Sequence, residues 1–264
     1  MRSAKRDHVT LRFGALSFCV AASVGLLWAS EGDVKKPVAT VVGRNAPPSG
    51  PFACTELMGL LTTGEWFKAG FLDALGADLS PKWGGRFAHY GYVYEYANPD
   101  SYVWTPTPVG GVNNVQILKC KAGSDAPDRI VYQAWSWQLT TEKDWIDNLT
   151  AAIKTIRAKR PSAKRIDLMT IIRSPQNGWC HTTTPPLRPP LGPGTDHEAT
   201  LQDSHVPDYV DAAFAKVAAA YPDLVSIAPK FEAHACAEHI DGIHLGSGSA
   251  AVAKDIAAYF RTVR

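Results

Sequence analysis

Between residues 129 and 172 the chain passes from an apolar run to a helical period and back to an apolar run, and few folds accept that order. Arg129 to Trp137 reads as a buried strand following the turn Asp125-Ala126-Pro127-Asp128. Asp144 to Lys159 then sets Trp145, Leu149, Ile153 and Ile156 at three- and four-residue intervals, the period of one helix face. Pro161 ends that helix, and Arg165 to Ile172 is a strongly apolar strand. A strand apolar on both faces must be covered on both, as in a parallel sheet between helical layers.

The alternation continues in both directions. Phe52 to Met58 predicts a first strand and Thr63 to Leu75 a following helix. Val206 to Tyr221 predicts a helix, Leu224 to Ala228 a short strand, and Ser249 to Arg264 a terminal helix. The expected fold class is α/β, a three-layer α/β/α arrangement with a mostly parallel central sheet. Two segments do not fit the rhythm. Residues 80–120, with many Tyr, Trp, Pro and Gly, predict an elaborated loop or small subdomain. Residues 174–205 are rich in Pro, Gly, Thr and His without periodicity, and predict a long loop of the kind that often carries function.

A chain of 264 residues suits one α/β domain, taken as residues 51–264, behind an export segment. Arg2, Lys5, Arg6 and Arg12 form a positive start, Phe13 to Ala29 is almost wholly apolar, and Trp28-Ala29-Ser30 places small residues at a cleavage point before Glu31. The alternative, a retained membrane anchor, has a run of 17 residues, at the short limit for a span. Phe18 before Cys19 is too bulky for a lipoprotein cleavage site. The expectation is a signal peptide over 1–30, a polar lead-in over 31–50, a secreted or periplasmic location, and no membrane association once the signal is removed.

Of the 27 Lys+Arg and 25 Asp+Glu, residues 1–30 hold four and one, so the remainder carries 23 against 24. No basic stripe remains to bind nucleic acid. Four cysteines also remain, Cys54, Cys120, Cys180 and Cys236. In an oxidising compartment an even number reads as two disulfides, and of the three pairings Cys54–Cys120 with Cys180–Cys236 is the one expected. Asn148-Leu149-Thr150 is a glycosylation sequon, meaningful in a eukaryotic source.

The segment richest in chemistry is Asp241-Gly242-Ile243-His244-Leu245, followed by Gly and Ser residues and the terminal helix. An Asp three residues before a His can share a tight turn with it, orienting the imidazole and stabilising its protonated form so that it acts as a general base. Two other readings compete. Asp241 can simply cap a solvated turn. His234, Cys236, His239, Asp241 and His244 also crowd eleven residues with potential zinc ligands, although the spacing matches no standard zinc module and a disulfide accounts better for Cys236.

The turn and the helix after it resemble the last conserved block of the SGNH/GDSL hydrolases, a D-x-x-H turn leading into the terminal helix. The resemblance implies a flavodoxin-like sheet, a secreted ester hydrolase with no cofactor or metal, and a small-molecule or carbohydrate ester as substrate, with an O-acetylated carbohydrate as the closer analogy. It also implies a nucleophilic serine in G-D-S at the end of the first strand. Here Gly59 matches the glycine, whereas Leu60 and Leu61 stand at the Asp and Ser positions, and no serine occurs between Ser49 and Ser80. Thr62 or Thr63 could supply the hydroxyl. Thr62-Thr63-Gly64-Glu65 equally reads as a capping box, with Thr62 as N-cap and Glu65 reaching back.

By the same resemblance Gly91, in His89-Tyr90-Gly91, is the candidate oxyanion-hole amide, and Ser136 or Gln138 stands where the family has an asparagine. Arg173 and Asn177 follow the strongest strand at its carboxyl end, where open α/β sheets bind ligands, and are candidate substrate contacts. The rival function is a non-catalytic carbohydrate- or ligand-binding module that has lost the serine and kept the Asp/His pair. Oligomeric state is not legible in the sequence.

Overall fold

The computed structural model describes residues 46–59, 61–89, 114–121, 126–135, 139–178, 205–239, 244–246 and 248–264. These all belong to one compact unit, Val42–Arg264. Six strands form one sheet: β1 (Thr55–Gly59), β2 (Trp83–His89), β3 (Asn114–Leu118), β4 (Arg129–Gln133), β5 (Arg165–Met169) and β6 (Val225–Ile227). Their spatial order is β3-β2-β1-β4-β5-β6. All neighbouring pairs are parallel except β2 with β3, which is antiparallel. The five parallel strands therefore run 2-1-3-4-5 in their own sequence order, the doubly wound flavodoxin-like arrangement, and the winding reverses between β1 and β4.

The helices are α1 (Leu61–Trp66), continued through a π-turn (Phe67–Phe71) into α2 (Leu72–Leu75), then α3 (Glu142–Lys159), α4 (Asp208–Ala220) and α5 (Ser249–Thr262). The π-turn leaves helical conformation at Ala69 and Gly70, so the single helix expected over 63–75 is bent there. Alternation along the strands sends side chains to two separate cores. Met58, Ile130, Tyr132, Ile166 and Leu168 pack with α3 and α4 through Trp145, Leu149, Phe214 and Val217. Leu57, Val131 and Met169 pack on the other face with Trp66, Phe71, Val252, Ile256 and Phe260. Each fully buried apolar side chain contributes about 1.5–3 kcal/mol, so two covered faces supply most of the driving force. The three-layer expectation is met.

The segment 80–120 holds a correction, because it contributes two strands rather than only a loop. Apolar alternation is missing there for physical reasons. Gly84 is required by close approach: a Cβ would lie 2.4 Å from the Leu118 carbonyl oxygen on β3. Arg86 is buried, its Nε donating to Glu56 Oε1 at 2.8 Å. Arg160 reaches the same carboxylate from the end of α3, its Nε 2.6 Å from Oε2. Two guanidiniums on one buried carboxylate let a charged strand lie inside the sheet.

Cys54 and Cys120 form a disulfide with Cα atoms 5.9 Å apart, joining the entry to β1 with the chain after β3. Cys236 is also disulfide-bonded, to a cysteine outside the described residues; its expected partner, Cys180, lies there too. No helix among the described residues is long and apolar enough to cross a membrane.

At the amino-terminal edge Arg129 closes the bottom of the sheet. Its guanidinium lies 4.7, 5.0 and 5.1 Å from the rings of Phe52, Trp83 and Phe260, and Nη1 donates to the Val263 carbonyl at 2.5 Å. Burial pulls its pKa down to about 10 despite the nearby Asp167 carboxylate. Arg165 is buried near it at the same edge, its Nε donating to Asp167 Oδ1 at 2.7 Å.

Candidate functional site

In a doubly wound sheet the crevice for ligands opens at the carboxyl ends of the strands where the winding reverses, here between β1 and β4. Gly59 ends β1, and α1 begins two residues later. The turn is tight enough that a Cβ on Gly59 would sit 2.1 Å from Thr63 Oγ1. Glycine at this position lets the helix fold directly back over the strand end.

Gln133 ends β4 and knits the crevice together. Its Oε1 accepts from the Thr63 hydroxyl and, at 3.3 Å, from Trp66 Nε1. Its Nε2 donates to the Thr170 carbonyl at 2.8 Å, just past β5. Thr63 is fully buried. Its hydroxyl is directed at an amide oxygen, which cannot take up a proton as a base would. Thr62, its neighbour, is also buried, and among the described residues its Oγ1 has no hydrogen-bond partner. Trp135 Nε1, two residues past β4, is in the same condition. An unsatisfied buried polar group costs about 1–3 kcal/mol, and these two lie past the carboxyl ends of β1 and β4, the strands that flank the crevice.

The capping box is replaced by a longer-range contact. The helix starts at Leu61, which places Thr62 inside its first turn. The Glu65 carboxylate does not serve that turn alone: Oε2 accepts from the Leu245 backbone amide at 2.9 Å across 180 residues of sequence. The Leu245 amide is the peptide group that follows His244. His239 and Leu245 also form an antiparallel bridge, which closes the loop containing Asp241. Ser249, at the start of α5, donates to the carbonyls of Leu245 and, at 3.1 Å, Gly246. The half-exposed His244 is therefore carried on a turn fixed from three sides. Asp241 itself lies outside the described residues, as do Leu60, Gly91, Ser136 and Gln138.

Arg173 and Asn177 lie beyond the carboxyl end of β5, as expected, but their side chains are engaged within the protein. Arg173 does not face open solvent: it is buried, and its Nη2 donates to Asp211 on α4. Its backbone pairs with Phe231 and Ala233, at 2.9 and 2.8 Å. Asn177 clamps the base of the long loop. Its Oδ1 accepts from Val206 N at 2.9 Å and its Nδ2 donates to Val206 O at 3.0 Å, so residues 177 and 206 are held together whatever the intervening chain does. Both side chains bind the protein's own chain.

Two of the candidate zinc ligands are engaged with other groups. Cys236 is in a disulfide. His234 Nε2 pairs with Asp255 at 2.7 Å on the surface. Among the described residues no three His, Cys, Asp or Glu side chains converge as a metal site would require.

Sequence reasoning missed Gln133 and the long-range role of Glu65. A polar residue directly after the apolar run Ile130–Tyr132 is the available signal for the first. No local signal exists for the second, because its partner is the turn near the far end of the chain. No family model matches the chain, and no curated protein or solved structure matches it.

Proposed function

We propose that the chain is a secreted ester hydrolase acting on an O-acylated carbohydrate, with His244 as general base and Thr62 as the hydroxyl it serves. One observation carries this reading: the Glu65–Leu245 hydrogen bond seats the peptide of His244 on the helix that bears Thr62. Thr62 and Glu65 are three residues apart and so share a helix face. Thr62 also has the hydroxyl with no partner among the described residues, whereas that of Thr63 is taken by Gln133.

In this reading Thr62 Oγ attacks the acyl carbonyl carbon as its proton passes to His244, oriented by Asp241. The ester C–O bond then breaks, and the departing alcohol takes that proton. Water, deprotonated by the same imidazole, next cleaves the acyl-threonine to free acid and the original hydroxyl. The Cys54–Cys120 disulfide supports an oxidising compartment, consistent with export behind residues 1–30.

A second reading, a non-catalytic glycan-binding module, is favoured by Leu60 and Leu61 at the family's Asp and Ser positions and by burial of Thr62, whose hydroxyl makes no hydrogen bond to His244 or to any other described residue. Hydrolysis of an aryl acetate and of an acetylated polysaccharide by the purified chain and by His244→Ala separates the two. Loss of at least about a hundredfold in the variant is expected for a general base. Equal rates would end the hydrolytic reading, and saturable binding of the same polysaccharide without turnover would establish the module.

A further inference from the structure

A groove of about 790 Å³ opens at the amino-terminal edge of the sheet, opposite the edge that carries His244. It runs between the end of α3 with its turn into β5 and the end of α4 with its turn into β6. Lys154, Arg157, Arg160 and Lys164 line one side, and Asp223 is the acid among the lining residues. Arg160 is engaged by Glu56. Among the described residues Lys154, Arg157 and Lys164 have no carboxylate within ion-pair distance. Elsewhere among the described residues Lys143, Lys216 and Lys230 each have one, whereas Lys68, Lys159 and Lys254 have none, so it is the gathering of three such cations along one groove that marks this place.

Compensation of a helix end accounts for Arg157, which sits in the last turn of α3. It does not account for Lys154, a turn earlier, or for Lys164, beyond the helix. The opposite wall holds Tyr221 and Pro222, both half-buried. Hydrogen bonds fix both walls: Lys164 N donates to Asp128 O at 2.8 Å, and Leu224 N to Tyr221 O at 3.1 Å. A trough with these cations on one side and, on the other, a proline and a tyrosine ring packed in part against the core suits a ligand carrying both anions and apolar faces.

We propose that this groove binds an acidic glycan, its cations pairing with the sugar acid groups while Tyr221 and Pro222 take the faces of the pyranose rings. The assignment goes beyond the hydrolytic reading. Its test reads binding alone, so either can fail without the other.

The full chain is titrated by calorimetry with polygalacturonate, sulfated dextran, neutral dextran and inorganic polyphosphate. Saturable binding of at least one acidic glycan, and none of neutral dextran, is expected. The double charge reversal of Arg157→Glu with Lys164→Glu, both on the surface, should weaken it about tenfold or more, with added salt doing the same to the wild type. Tyr221→Ala should weaken glycan binding severalfold while Tyr221→Phe retains it, because the ring face and not the hydroxyl makes the contact. Carboxylate and sulfate sugars are told apart by which polymer binds more tightly. Absence of binding to both acidic glycans would overturn the proposal. So would affinity unchanged by charge reversal, or polyphosphate bound as tightly as glycan with Tyr221→Ala without effect.

Discussion

Glu65, in the first turns after β1, holds the backbone amide of Leu245 at 2.9 Å, so the helix after the first strand and the turn before the last helix share a partly buried anchor. Loss of that acceptor leaves an amide without its charged partner. Glu65→Ala should therefore cost about 1.5–3 kcal/mol, the range for a hydrogen bond to a charged group, while Glu65→Gln, which keeps an oxygen at the same reach, should cost less. Urea denaturation of both variants measures this. Equal losses would mean that the side chain packs rather than anchors.

The Cys54–Cys120 disulfide closes a loop of 66 residues that includes β2 and β3. Constraining an unfolded loop of that length is worth about 4 kcal/mol on the chain-entropy account. Replacing both cysteines by serine should lower the unfolding free energy by that order, read from urea midpoints under non-reducing conditions. A change below about 1 kcal/mol would show that β2 and β3 are held by the sheet alone.

Asp211 supplies a pH dependence. Burial alone would raise its carboxyl, but hydrogen bonds from Arg173 and Lys230 outweigh that and hold its pKa below the ordinary value of 3.8. A depressed folded-state pKa contributes stability that is present above the unfolded value and lost as pH falls through the folded one. Melting temperatures between about pH 2 and pH 6 should therefore fall less steeply at the acid end for Asp211→Asn than for the wild type, from a lower neutral value. Parallel curves would remove Asp211 from the acid response.

The parts of this fold legible in the sequence are those whose side-chain period reports burial directly. α3 shows Trp145, Leu149, Ile153 and Ile156 on one stripe, and β5 shows Ile166, Leu168 and Met169 on covered faces, with the buried Arg165 and Asp167 paired to each other. Strand β2 is illegible because Gly84 is there for the approach of β3 and Arg86 for Glu56, neither of which is local. The site divides in the same way. The His244 turn is visible as a pattern of neighbours. By contrast, Arg173 and Asn177 sit where ligand contacts are expected but bind Asp211 and Val206. Glu65 looks like a local cap because the residue it holds is 180 positions away.

Thr62 and Thr63 adjoin in sequence, and the structure gives their hydroxyls opposite standing. Thr63 donates to Gln133, so Thr63→Val would leave the amide oxygen, among the described residues, with the 3.3 Å contact from Trp66 alone and should cost about 1–2 kcal/mol. Thr62 has a buried hydroxyl with no partner among the described residues, so Thr62→Val, of nearly the same shape, should leave stability unchanged or slightly raised. Activity should order the pair the other way. If Thr62 is the nucleophile, its valine variant should fold and lose ester hydrolysis, the trade expected where a strained or unsatisfied group is kept for chemistry. The Thr63 variant should be less stable yet retain turnover at temperatures where it is folded. Thermal melts and initial rates on one aryl acetate measure both orders together. A Thr62→Val protein that hydrolyses at the wild-type rate would detach the hydroxyl from the reaction, while the stability order would still hold.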